Sequence, residues 1–160
     1  NAEMEMSRLL KLWREQELPI LHVKHMSTDP TSTYFPGTAG NKFKDVTQPL
    51  QSEQVLEKNS NSAFINTNLD EILKGNGITE IVIIGVITNN SVEATARMSG
   101  NLGYQTIVVA DASFTFNKMD FSGKEHKAEL VHNMSLANMN GEYAEILNTD
   151  EVMNLVNELK

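Results

Sequence analysis

The chain has 160 residues, 40% of them apolar, which suffices for one domain with its own core. A net charge of −8, with thirteen Lys and Arg residues scattered along the chain, excludes a basic stripe of the kind that neutralises phosphates. No apolar run is long enough to span a bilayer. The absence of cysteine excludes disulfides, a thiolate nucleophile and cysteine-bound metal and fits a reducing cytosol, so a cytoplasmic location is expected.

Met6, Leu9, Leu10 and Trp13 recur at helical spacing and predict an amphipathic helix over residues 3–16, stopped ahead of Pro19. "PILHVKH" (19–25) reads as a short strand. Residues 26–53 form a long loop around "DPTSTYFPGTAG", a length that in a compact domain is usually functional. "VLEK" (55–58) is a brief strand, and "NLDEILKGNG" a short helix with Leu69, Ile72 and Leu73 on one face and glycine at its end. "ITEIVIIGVI" (78–87) is continuously apolar and β-branched, as in a strand buried on both faces of a parallel sheet.

A helix is expected from about Ser91 to Leu102, closed by Gly103, with small residues (Ala94, Ala96, Ser99, Gly100) that allow close approach to a sheet. "YQTIVVADA" (104–112) is the next strand. The polar excursion "SFTFNKMDFSGKEHK" leads to a helix with Leu130, Met134 and Ala137 on one face. "EYAEIL" (142–147) is the last strand, and Val152, Leu155, Val156 and Leu159 mark a closing helix behind the cap candidate Thr149. Alternation of strands and helices defines a single α/β domain with a mainly parallel sheet.

In such sheets, sites form beyond the carboxyl ends of the strands. That selects the His22–His25 end, Lys58 and the turn Gly85–Ser91. At the turn, the free N–H groups of a helix start and the helix dipole suit an oxyanion. Ser91 is read first as a helix cap and second as a nucleophile. His22 and His25, three apart on a strand, point to opposite faces and make a weak metal pair. "GTAG" and "GNLG" lack the Gly-x-Gly-x-x-Gly context of a dinucleotide site, so neither a cofactor nor a metal is expected. Asp111 is read as a structural hydrogen-bond acceptor.

The segments "EKNSNSAF", "IIGVITNNSVEATARMSGNLGYQTIVVADASFTF" and "HNMSLANMNGEYAEIL" resemble the isochorismatase-like hydrolases, also called the cysteine hydrolase or nicotinamidase-related superfamily. Gly85, Thr88, Val92, Thr95, Ala96, Arg97, Gly103, Tyr104, Asp111 and Ala112 fall on that family's pattern. The resemblance implies a three-layer α/β/α, Rossmann-like fold and an Asp–Lys–Cys triad. Carried over, Lys58 is the triad lysine, Val86–Ile87 a cis peptide, and the N–H groups of Ile87 and Ser91 the oxyanion donors. Tyr34, Phe35, Phe64, Thr88 and Asn89 are candidates for the substrate pocket. The family cysteine is replaced by Ser91, a hydroxyl far harder to ionise than a thiol.

The resemblance also implies a central first strand ending in Asp-x-Gln and carrying the triad Asp, which has no counterpart here. Without it the strands around His22 and Ile83 would bury unpaired backbone groups at roughly 1–3 kcal/mol each. The chain is therefore expected to be an incomplete copy of a longer protein. The expected function is hydrolysis of an amide C–N or vinyl-ether bond in a small polar molecule by a homo-oligomer, with no nucleic acid or membrane partner. The alternative is a catalytically inactive binder or oligomeric scaffold on the same fold.

Overall fold

The computed structural model describes residues 1–158. Its axis is strand β4 (Gln105–Phe114), which lies between β3 (Glu80–Val86) and β7 (Glu145–Leu147) in a parallel three-stranded sheet. Side chains alternate along a strand, so Ile107 and Val109 face one way and Val108 and Ala110 the other. The first face is covered by α1 (Ala2–Glu15) and α5 (Thr149–Glu158), through Met6, Leu9 and Val152. The second is covered by α3 (Glu93–Asn101) and α4 (Ala128–Met139), through Ala96, Leu136 and Met139. This is a three-layer α/β/α sandwich. Each of these core side chains contributes roughly 1–3 kcal/mol through burial.

A second parallel pair, β1 (Leu21–His25) and β2 (Gln54–Lys58), sits beside the first sheet. Leu56 joins Leu69 and Leu73 of α2 (Leu69–Gly75) and Tyr104 in a third cluster. β1 and β3 do not pair, and a cavity of about 1760 Å³ runs between them, lined by Leu21, Val23, Ile81 and Ile83 among others. Its effect on β3 corrects the sequence reading. Ile81 to Ile84 are half-buried, not enclosed on both faces, because only one edge of β3 is covered.

Three further expectations change. The stripe Leu130, Met134 and Ala137 of α4 faces solvent, and the core face is Ser135, Leu136 and Met139. Ser135 can face inward because its hydroxyl donates to Glu93 Oε2 at 2.6 Å. The start of α5 is capped by Asn148 instead of Thr149. Asn148 Oδ1 accepts the Glu151 N–H and Glu151 Oε2 accepts the Asn148 N–H, a reciprocal capping box. Thr149 donates both its N–H and its hydroxyl to Asp111 Oδ1, at 2.8 Å each, in line with the acceptor role read for Asp111. Within the polar excursion the chain forms a hairpin, β5 (Lys118–Met119) against β6 (Glu125–His126). Leu159, assigned to the closing helix from its spacing, lies outside the described residues.

Gly100 of α3 packs on the turn before β7: a Cβ placed there would lie 2.6 Å from the Tyr143 carbonyl oxygen. Among the described residues no helix is long and apolar enough to cross a membrane.

Candidate active site

The carboxyl ends of β1, β2 and β3 bring His25, Lys58 and the turn after Val86 together. His25 and Lys58 are register partners at the ends of their strands. At the end of β3 the pairing jumps from Ile83–Val108 to Gly85–Ser113, and Gly85 takes a φ of +139°, a value side chains disfavour. The Val86–Ile87 peptide is cis. The chain then enters a wide helical turn, Thr88–Val92, that runs directly into α3.

The turn changes the reading of Ser91. The backbone is kinked at Asn89 and Ser91 follows the kink with helical angles, so Ser91 lies past the start of the helical segment and is not its cap. Its hydroxyl is instead 3.2 Å from Lys58 Nζ. Lys58 is buried, at 6% exposure, and donates to the carbonyls of Ser60 at 2.7 Å and Asn61 at 2.8 Å. His25 Nδ1 lies further off, at 3.4 Å.

Two of the three ammonium protons are thus committed to carbonyls, which leaves the third to Ser91 or His25. Burial pushes the Lys58 amine down from 10.5 to about 8. Near neutrality the site carries a positive charge. On the alkaline side it carries a lone pair facing a serine hydroxyl. His25 is also held below its usual range, first by burial and then by the Lys58 charge. None of the hydrogen-bond partners of Lys58 among the described residues is a carboxylate.

A supporting layer fixes the turn. Thr88 is fully buried and shares a 2.8 Å hydrogen bond with His132 Nδ1 of α4. Burial keeps His132 below its usual pKa and therefore neutral at pH 7. The Thr115 hydroxyl donates to Asn89 Oδ1. Glu93 joins Arg97 within α3 and Ser135 across to α4. The Ala63 N–H donates to Thr95 Oγ1, binding the Lys58 loop to α3.

The remaining pocket candidates divide. Tyr34 is 40% exposed and edge-on to His25, with ring centroids 6.1 Å apart, and buried Asn41 ties its carbonyl to that of His25. Phe35 is half-buried in the same loop, and Asn89 is half-buried at the turn. Phe64 is half-buried and stacks on Tyr104 beside the third core cluster, and Thr88 has no exposed surface. His22 goes to Glu53, at 2.7 Å, away from the site. Among the described residues no group of His, Asp and Glu is arranged to hold a metal. The residue missed from sequence is His132. Its signal was its place in "HNMSLANM", one of the segments that carry the family resemblance.

Residues 4–151 match the family model of the Isochorismatase domain. The chain is 40% identical over 154 residues to the isochorismatase family protein YrdC of Bacillus subtilis, covering 96% of this chain and 82% of that protein. It is 27% identical over 156 residues to Nicotinamidase 3 of Arabidopsis thaliana, covering 89% of this chain and 73% of that one. A crystal structure described as an isochorismatase-family hydrolase of Chromobacterium violaceum superposes with a TM-score of 0.95 at 44% identity, covering 98% of this chain and 81% of that one.

Proposed function

The chain belongs to the isochorismatase family, and from that premise we propose that it hydrolyses an amide C–N or vinyl-ether bond in a small polar molecule, as a cytoplasmic homo-oligomer. The site in this reading is Lys58 with the turn Gly85–Ser91. The observation that carries it is the 3.2 Å approach of Lys58 Nζ to Ser91 Oγ at the shared carboxyl ends of β2 and β3. The similarity to a nicotinamidase supports an amide as the substrate class.

For an amide, water adds to the carbonyl carbon, the C–N bond breaks, and acid and amine are released. Negative charge grows on the carbonyl oxygen as water adds. The N–H groups of Ile87 and Ser91, at the start of a helical segment, serve as donors to that oxygen. The Lys58 ammonium adds a buried positive charge beside it, where low dielectric strengthens the attraction. Ser91 serves as an oxyanion donor through its N–H, and its hydroxyl orients the lysine. Tyr34, Phe35 and Asn89 are the substrate-facing candidates.

The single-domain reading includes a further parallel strand in the cavity between β1 and β3. The unpaired facing edges of those strands support it. The test is hydrolysis of a panel of small amides and of isochorismate, with Lys58→Ala as control. Turnover that falls at least a hundredfold in the variant supports the reading. No turnover of any substrate, with ligand binding unchanged in the variant, defeats it. A silent binder or oligomeric scaffold is favoured by one observation, the lack of a carboxylate among the described partners of Lys58.

A further inference from the structure

The spacing of Leu130, Met134 and Ala137 is that of a helix face made to be covered, yet the fold turns this face outward. Beside it, the arm 115–127 presents Phe116, Met119 and Phe121 to solvent. Phe121 is wholly exposed at the arm's tip, an unusual place for a large aromatic side chain. Met119, Leu130 and Met134 line one groove, and exposed apolar surface of this kind marks an interaction site.

The arm is stiff. Asp120 Oδ1 accepts the Ser122 and Lys124 N–H groups and the Ser122 hydroxyl, and Oδ2 pairs with His126 Nε2 at 2.8 Å. At its base Asn117 Oδ1 accepts the N–H of Ala128, the first residue of α4. An aromatic side chain held on such a frame loses little entropy when it is covered. Between the arm and α4 lies a cavity of about 460 Å³, lined by Asn89, Met119, Leu130, Val131 and Met134 among others.

We propose that this surface is where two copies of the chain meet, Phe121 of each copy seated in the cavity between the arm and α4 of the other. Knob and hole lie side by side on one face of one chain, so a single twofold rotation fills both cavities at once. Charge favours a second copy at this place. The chain carries −8 overall, whereas the arm carries three lysines (Lys118, Lys124, Lys127) against two carboxylates (Asp120, Glu125), and the cavity lining holds both signs, Glu93 and Asp120 with Lys118 and His126. Two acidic molecules therefore approach arm to arm with less repulsion than their overall charge would give.

The contact reaches the candidate site. Asn89 lines the cavity and also accepts the Thr115 hydroxyl at the arm's base, so the incoming Phe121 packs against the turn that carries Ser91. The inference rests on the homo-oligomer part of the proposed function and supplies its contact surface. It is independent of the hydrolytic part.

Sedimentation velocity on the wild-type chain, Phe121→Ser and Met134→Glu tests it, with far-UV circular dichroism to confirm the fold. The wild type is expected at twice the 17.8 kDa chain mass or a multiple of it, and both variants at half the wild-type mass, with dissociation constants raised at least a hundredfold. Because the chain has no cysteine, Ser122→Cys and Asn138→Cys chains, which keep Phe121 and Met134 in place, should cross-link strongly when mixed with a short bismaleimide, and either alone only weakly. A wild type that stays monomeric overturns both this contact and the homo-oligomer reading. Variants that remain at wild-type mass, or a mixture that does not cross-link, overturn the contact and leave the homo-oligomer reading standing.

Discussion

Replacing Lys58 by Met keeps the length of the side chain and removes its titration. The folded chain lowers the Lys58 amine from 10.5 to about 8 through burial alone. Below pH 8 the amine is charged in both the folded and unfolded states, and the fold bears the full cost of burying that charge. Between about pH 8 and 10.5 the folded state has released the proton while the unfolded state still holds it. Stability from this group therefore rises with pH across that window and levels off above it. At about 1.4 kcal/mol for each pH unit, the drop from 10.5 to about 8 amounts to about 3 kcal/mol.

Urea unfolding of wild type and Lys58→Met at half-unit steps from pH 7 to 10.5 measures it. Lost hydrogen bonds to Ser60 and Asn61 shift the variant by an amount that does not depend on pH, and other titrating groups cancel in the difference. Wild-type stability minus variant stability should be flat up to about pH 8 and then climb by about 3 kcal/mol. A difference that stays level throughout would show that Lys58 is solvated, and the electrostatic argument for the site would fail with it.

Glu53→Gln should cost about 3 kcal/mol, because it leaves Arg14, bound to Glu53 through Nε at 2.7 Å and Nη2 at 2.9 Å, without its carboxylate. Arg14 holds the Glu53 carboxyl at about 2, so the difference from wild type should shrink as pH falls from 4.5 to 2 in acid titrations of stability. Thr88→Val keeps the shape of a fully buried side chain but removes the hydroxyl at His132, and thermal unfolding should report a loss of about 1–3 kcal/mol. Ser91→Cys places an ionisable thiol beside the Lys58 ammonium and should raise amide hydrolysis at least tenfold. An unchanged rate, or an acyl group trapped on Ser91 of the wild type, would reverse the role given to that serine.

The succession of strands and helices along the chain was legible because β4 and β3 carry long β-branched runs and the helices between them keep the 3.6-residue period, whereas the three layers were implied by the family resemblance. Period does not choose between two plausible faces. In α4 the more apolar stripe lost to one containing Ser135, because Glu93, forty-two residues earlier, supplied an acceptor. Local rules also placed the α5 cap one residue late, since Thr149 is drawn away by Asp111, a partner thirty-eight residues distant. Lys58 and Ser91 could be paired in advance because one ends a parallel strand, the other lies in the turn that follows one, and both sit on a family pattern. Thr88 and His132 each sit in a segment of the family resemblance, but nothing local says that they meet, and the Arg14–Glu53–His22 cluster joins elements with no shared sequence signal, so the folded chain reveals both.

The missing methyl at Gly100 has a reach longer than its size. Backbone meets backbone where α3 rests on Tyr143, so the seat of that helix has no soft side chain to absorb an error. The opposite end of that helix follows directly on the turn Thr88–Val92, whose amides are proposed to cradle a reacting oxygen. Any bulkier residue at Gly100 would act as a shim under a lever, tilting those amides out of alignment while touching nothing near the substrate.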